Sequence, residues 1–398
     1  RAAAARALMR RTLFTDEQDD YRESFRRFLA EEVLPHYLEW EREGIVPREL
    51  YAKAASMGFA SMSVPERHGG PGIEDFRFNV VVAEEVALAL VVGFGLGLTL
   101  HNDVCLPYLL SYATEEQRER WLPGVARGEQ ILAIAMTEPD TGSDLAGIRT
   151  TAIRSGGGYL VNGAKTFITN GINADLVIVA VKTDPSQRHR GVSLVVLERG
   201  MEGFERGRNL EKLGQHAQDT AELFFNDVHV PASNLLGDEG QGFRYLVSNL
   251  AQERISIAIG ALGAARAGLA GTLEYTRQRT AFGQPVSSFQ NSRFQLAECH
   301  VEIEVAQSHL DACVASLGDG ALSPEDAAIA KFWCTEVQGR VLDRCVQLHG
   351  GYGYMTEYAI ARAWADARAT RIFGGTNEIM REIIGRSLER ADHDRRTE

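Results

Sequence analysis

The sequence predicts an α+β protein in three parts: a helical domain over residues 1–130, an antiparallel β-barrel or sandwich over 131–239, and a helical bundle over 240–398. Two observations carry this reading. The spacing of apolar residues changes twice, from helical to strand-like near Gln130 and back near Gly240. Between the two changes, short β-branched runs alternate regularly with glycine and asparagine turns.

The elements follow in order. Thr15 with Gln18 forms a capping box ahead of an amphipathic run through Glu39, and Thr114 with Gln117 forms another. The apolar stretch Val80–Leu100 contains Glu84, Glu85 and three glycines, so it reads as a packed helix rather than a membrane span. Strands are expected at Thr150–Arg154, Tyr159–Val161, Leu176–Val181, Val192–Leu197 and Ala221–Phe225, with turns at Gly156-Gly157-Gly158 and Asn162-Gly163. Ser323-Pro324-Glu325-Asp326 opens a late helix, with a serine cap, proline in the first turn and acids at the positive dipole end. No internal repeat or low-complexity linker interrupts this order.

At 398 residues the chain has room for several domains around substantial cores. Its net charge of −12 argues against a nucleic-acid partner, whose phosphates require a basic surface. Local Arg and Lys can still hold an anionic ligand in one cleft. The five cysteines are odd in number and lack Cys-x-x-Cys spacing, which points to a reduced intracellular protein and to buried thiols. The start, Arg1–Arg11, is rich in Ala and Arg, has no acid before Asp16, and is read as a tail preceding Met9. A cytoplasmic, bacterial-like protein is expected, or a mitochondrial matrix one if the source is eukaryotic, with no membrane span and no metal site.

Several separated segments carry chemistry. Ala135-Met136-Thr137-Glu138-Pro139-Asp140-Thr141-Gly142-Ser143-Asp144-Leu145-Ala146-Gly147 leaves a strand and opens a loop rich in backbone donors and hydroxyls. Phe167-Ile168-Thr169-Asn170 reads as a strand burying apolar residues. Arg279-Thr280-Ala281-Phe282-Gly283-Gln284-Pro285, with Phe289-Gln290 after it, offers a guanidinium fork suited to a diphosphate. Gln347-Leu348-His349-Gly350-Gly351-Tyr352-Gly353 is a glycine-rich turn, weak evidence alone, in which His349 reads as a packing residue. Arg371-Ile372-Phe373-Gly374-Gly375-Thr376-Asn377-Glu378-Ile379 places glycines before a new helix, and Leu250-Ala251-Gln252-Glu253-Arg254 sets a glutamate before an arginine.

Taken together and in this order, from Phe14 to about Arg386, these segments resemble the acyl-CoA dehydrogenase family, and within it the long-chain type. The resemblance implies that family's fold, with a C-terminal four-helix bundle, and an FAD cofactor. FAD would be held by Met136, Thr137, Gly142, Ser143, Phe167, Thr169, Arg279, Phe282, Gln290, Gln347, Gly350, Gly351, Thr376 and Glu378, with Glu138 structural. Ser143, Arg254, Gly374 and Gly375 would meet the acyl-CoA. Most members carry their catalytic glutamate where this chain has Gly374. The long-chain and isovaleryl branches place it where this chain has Glu253, so the base is relocated rather than lost.

The implied reaction is α,β-dehydrogenation of a fatty acyl-CoA to trans-2-enoyl-CoA, as in fatty acid β-oxidation, with Glu253 as base and flavin N5 as hydride acceptor. The resemblance further implies a homotetramer, a dimer of dimers, in which Gln347–Gly351 reaches a neighbour's FAD, and electron-transfer flavoprotein as acceptor. Burial should raise the Glu253 pKa while Arg254 pulls it down. Glu378 fits a helix-cap role better than that of base. The alternatives are a flavin oxidase or monooxygenase of the same fold, an isovaleryl-type branched-chain enzyme, and a silent CoA-binding scaffold suggested by Gly374 alone.

Overall fold

The structure is a computed structural model that describes residues 11–397, with side chains to residue 389; the tail before Met9 lies outside the described residues. Helix α1 (Asp16–Phe28) begins as expected, with the Thr15 backbone N–H donating to Gln18 Oε1 at 2.9 Å. The run to Glu39 is not one helix. It passes through a π-helical turn at Leu29–Val33 and restarts as α2 (Tyr37–Glu43), because Pro35 has no N–H to continue the ladder. After α3 (Arg48–Ser56), the apolar stretch also divides, into α4 (Arg77–Leu88) and α5 (Val92–Thr99). Leu90 between them takes a left-handed φ of 54°. Glu84 and Glu85 do not interrupt burial: Arg11 and Arg22 pair with Glu84 at 2.7 and 3.0 Å, and Arg22 and Arg26 with Glu85 at 2.7 and 2.6 Å. A second π-helical turn, Leu100–Cys105, leads without a break into α6 (Leu106–Tyr112), and α7 (Glu115–Ala126) closes the domain with its Thr114–Gln117 capping box.

The middle part is one sheet of eight strands. They are β1 (Leu132–Ala135), β2 (Thr151–Ser155), β3 (Gly158–Thr169), β4 (Leu176–Lys182), β5 (Val192–Glu198), β6 (Phe204–Asn209), β7 (Thr220–Pro231) and β8 (Leu235–Leu236). Their order is β6-β7-β3-β2-β4-β5-β8, with β1 joined to β4. Pairing is antiparallel except that β1 and β2 run parallel to β4, so the sheet is mixed at its centre. Gly156-Gly157 turns β2 into β3 as expected, whereas Asn162-Gly163 does not turn the chain. It lies inside β3 at a bulge, where Gly163 has φ 147° and a Cβ would meet Thr150 Oγ1 at 2.6 Å. Both faces are buried: Leu176, Ile178 and Ala180 pack on α6 and α7, while Val177, Val179 and Val181 face the opposite core. Two-sided burial explains why β4 reads as a continuous apolar run.

The last part packs α8 (Gly242–Gln278), α9 (Gln290–Gly318), α10 (Pro324–His349) and α12 (Asn377–Thr397), with α11 (Ala359–Ala367) against α10 and the short hairpin β9 (Thr280–Ala281) and β10 (Gln284–Pro285) after α8. Ser323 Oγ accepts from Asp326 N at 3.0 Å, capping α10. Ile255, Leu262, Ile303, Leu310, Val337 and Leu342 fill the bundle, and all five cysteines are buried free thiols. Among the described residues α8 alone is long and apolar enough to cross a membrane, but 61% of its apolar window is buried inside the protein. It is the central helix of the bundle and touches α4 as well as α9 and α10.

Candidate active site

Helix α8 positions the proposed base. Glu253 is 5% exposed. Leu246, Asn249 and Glu253 lie on one face of α8 by helical spacing, turned toward α6. From α6, the Tyr108 O–H donates to Glu253 Oε1 at 3.1 Å, and Asn249 Nδ2 donates to the same oxygen at 3.1 Å. Burial pushes the carboxyl up to about 7, against these two donors and the nearby Arg254, all of which favour the charged form. Arg254 is itself buried; burial lowers its pKa, and its Nε has no hydrogen-bond partner among the described residues.

The C-terminal turn sits beside the same helix. Gly374 and Gly375 take φ of 64° and 88°. A Cβ on Gly374 would come within 2.3 Å of Ile257 Cδ1, and Ile257 lies one turn beyond Glu253 on α8. The buried Lys331 fixes the turn from below, donating to Gly375 O at 2.8 Å and Asn377 Oδ1 at 2.9 Å. Thr376 Oγ1 accepts from Ile379 N at 3.3 Å, while Glu378 is exposed in the first turn of α12, 3.7 Å from Arg381. Gly374→Glu in the native background should cost about 1–3 kcal/mol, because it combines a left-handed backbone with the Ile257 contact. Adding Ile257→Ala should recover part of that loss, as read from urea unfolding midpoints; no recovery would mean that the strain is all in the backbone.

The expected flavin loop is tied to β3 from beneath. Lys165 Nζ, fully buried, donates to Met136 O at 3.0 Å and to Glu138 Oε1 at 2.8 Å. Glu138 also accepts from Arg149 N at 2.6 Å and Thr150 N at 2.9 Å, and Thr166 N donates to Thr137 O at 2.9 Å. The register of β3 slips between Lys165 and Ile168, and Phe167 there has φ 59° with its side chain 67% exposed. Thr169 is half-buried at the end of β3, and Gly142 and Ser143 are exposed.

A cleft of about 530 Å³ gathers Arg279, Gln347, Gly350 and Gly351 with Tyr275 and Tyr352. His349 stacks on Tyr275 at 4.1 Å and its Nδ1 bonds to Cys345 O at 2.8 Å, a packing role. The Arg279 guanidinium lies 5.6 Å from the Tyr352 ring and forms no ion pair among the described residues. Phe282, 97% exposed with φ 50°, and the exposed Gln290 stand outside the cleft lining. Tyr108, Asn249, Lys165 and Ile257 were not expected from the sequence. Asn249, one turn before Glu253, was within reach of a helical-spacing argument; Tyr108 comes from another domain and carried no local signal.

These residues fit FAD. An exposed aromatic beside a loop of hydroxyls and free N–H groups suits a flat polar ring system, and a guanidinium without a carboxylate partner suits a diphosphate. Family profiles for the acyl-CoA dehydrogenase N-terminal, middle and C-terminal domains match residues 15–129, 133–228 and 240–389. The mitochondrial long-chain specific acyl-CoA dehydrogenase of Mus musculus is 47% identical over 95% of this chain and 88% of its own. A short-chain specific acyl-CoA dehydrogenase of Megasphaera elsdenii is 37% identical over 94% of this chain and 99% of its own. The crystal structure of an acyl-CoA dehydrogenase from Geobacillus kaustophilus superposes with a TM-score of 0.92 at 50% identity, covering 94% of this chain and 98% of that one. Solved relatives include FAD complexes. With three domain profiles in order along most of its length, the chain belongs to the acyl-CoA dehydrogenase family of FAD-dependent enzymes.

Proposed function

We propose that the protein dehydrogenates long-chain fatty acyl-CoA thioesters to trans-2-enoyl-CoA, with Glu253 as the base. The observation that carries this reading is a buried carboxylate on α8, one turn from the residue that fills the space beside Gly374. When bound, FAD supplies the acceptor for the hydride that leaves C3. Glu253 removes the C2 proton, and its burial holds it near the pH at which a base is half ionised. The C2 proton becomes acidic enough only if the thioester carbonyl is polarised. The Gly374 N–H has no acceptor among the described residues and is offered as a donor to that oxygen. Met136, Thr137, Gly142, Ser143, Phe167 and Thr169 would hold the flavin ring, with Thr376 and Glu378 at the C-terminal turn and Ser143, Arg254 and Gly375 toward the thioester.

The Arg279 and Gln347–Gly351 cleft is assigned to a neighbouring subunit's FAD in a homotetramer built as a dimer of dimers, with Phe282 and Gln290 beside it. Electron-transfer flavoprotein is assigned as the acceptor, and the bacterial cytoplasm or the mitochondrial matrix as the compartment. Anaerobic addition of palmitoyl-CoA to holoenzyme should bleach the flavin. A spectral shift without reduction would instead mean a binder, and rapid reaction of the reduced enzyme with oxygen would mean an oxidase. Ranking acyl-CoA substrates by kcat/KM should place the optimum at long straight chains; an isovaleryl optimum would overturn the chain-length assignment.

A further inference from the structure

Both hydrogen bonds to the Glu253 carboxylate fall on one of its two oxygens. Tyr108 and Asn249 each donate to Oε1 at 3.1 Å, and no donor among the described residues reaches Oε2. A carboxylate turning freely about its last torsion would present either oxygen to a substrate. Two donors converging on Oε1, from α6 and from α8, fix the carboxylate plane and distinguish its ends. We propose that Tyr108, together with Asn249, is a positioning residue that holds Oε1 and leaves Oε2 to take the substrate proton. The inference rests on the reading of Glu253 as base.

The surroundings make Tyr108 suited to that task. It is 1% exposed, and its only other acceptor among the described residues, Leu246 O, is distant at 3.4 Å. One turn further along α6, the Tyr112 hydroxyl bonds to Ser248 Oγ at 2.6 Å and its ring stacks on Tyr245 at 3.9 Å. The helix that brings the donor is thereby clasped to the helix that bears the base. The ionisable groups around Glu253 are Arg254 on its own helix and Cys105 and Tyr108 from the facing segment. Burial and the Glu253 charge hold Cys105 and Tyr108 well above their ordinary values, so neither titrates near neutrality. Asp103, pushed up to about 6 by burial, is engaged by Asn79 and Ser256, each at 2.6 Å. Its contribution is common to parent and variant.

The test is anaerobic flavin reduction by saturating palmitoyl-CoA, followed from pH 5 to 9 in holoenzyme. Tyr108→Phe removes a donor that favours the charged carboxylate. Its acid limb should move up by about one pH unit, so that the loss is about tenfold larger at pH 6 than at pH 9, where the smaller loss that remains reads the freed carboxylate, with KM unchanged. Asn249→Ala removes the other donor to the same oxygen and should shift the limb in the same direction, which keeps the proposal testable if Tyr108→Phe does not fold. A loss that is uniform across pH would mean that Tyr108 only packs, and would overturn the proposal. Glu253→Gln separates the two claims. If E253Q is inactive while Y108F and N249A keep the parental limb, the positioning role fails and the base stands. If E253Q reduces its flavin at the parental rate, the base reading fails and this inference with it.

Discussion

Glu253→Gln should retain FAD and lose flavin reduction by at least about 10²–10⁴-fold, the range in which a general base contributes. Glutamine keeps the shape of the side chain and an oxygen that accepts from Tyr108 and Asn249, so the pocket stays packed while the proton acceptor is gone. Anaerobic stopped flow on the holoenzyme reads the effect; a parental rate would disprove the relocated base. The same substitution carries a stability signature of opposite sign. The folded protein holds the Glu253 carboxyl at about 7, above its ordinary 4.5. A raised group binds its proton more tightly in the folded state, so its contribution is complete below 4.5 and is lost as pH rises through about 7. At pH 8 the parent therefore carries an ionised buried carboxylate that E253Q lacks, and E253Q should be the more stable by at most about 3 kcal/mol. Urea unfolding at pH 5 and pH 8 checks the sign: the advantage should be larger at pH 8.

Lys165→Met is expected to be the most damaging substitution outside that pocket. It strands Glu138 as a buried charge with two backbone donors but no cation, and it removes the donor to Met136 O. Breaking one member of a buried pair costs about 3–5 kcal/mol. Because Lys165 ties the Met136–Glu138 segment to β3, the loop should also loosen, and FAD should dissociate faster from the folded variant. Adding Glu138→Gln should restore part of the stability, since the orphaned charge is then gone, without restoring the loop's tether. Calorimetry and FAD retention on dialysis measure the two effects separately; a variant with parental values in both would show that the pair does not hold the loop.

The three-part order was legible because it is written in local periodicity, and the capping boxes at Thr15 and Thr114 because they are written within four residues. The breaks were harder. The proline at position 35 was visible, yet the amphipathic pattern around it is continuous. Leu90 divides the next helix through a backbone conformation that its side chain does not advertise. Asn162-Gly163 has the composition of a hairpin turn and serves as a bulge, because the long partner β7 pairs across it on both sides. The motif residues were singled out as a set through resemblance alone. What surrounds them was not: Tyr108 reaches Glu253 from a different domain, and Ile257 meets Gly374 across the bundle. Such contacts depend on tertiary packing, to which a window of sequence is blind.

The π-helical turn at Leu100–Cys105 gives the phenol–carboxylate contact a tolerance to chain length of one residue. Between α5 and α6 the helix carries one residue more than a regular α-helix would place in that rise. Deleting one residue within the turn would let it relax to an ordinary helix with the segments on either side kept in phase, whereas deleting a second would rotate everything after it by about 100°. With that second deletion Tyr108 would swing away from Glu253, and the apolar stripe of α6 would leave the sheet with it. The surplus residue therefore acts as one unit of slack in the count, while identities within the turn are held by contacts: His101 bonds to Ser61, Asn102 donates to Phe59 O, and Asp103 accepts from Asn79 and Ser256.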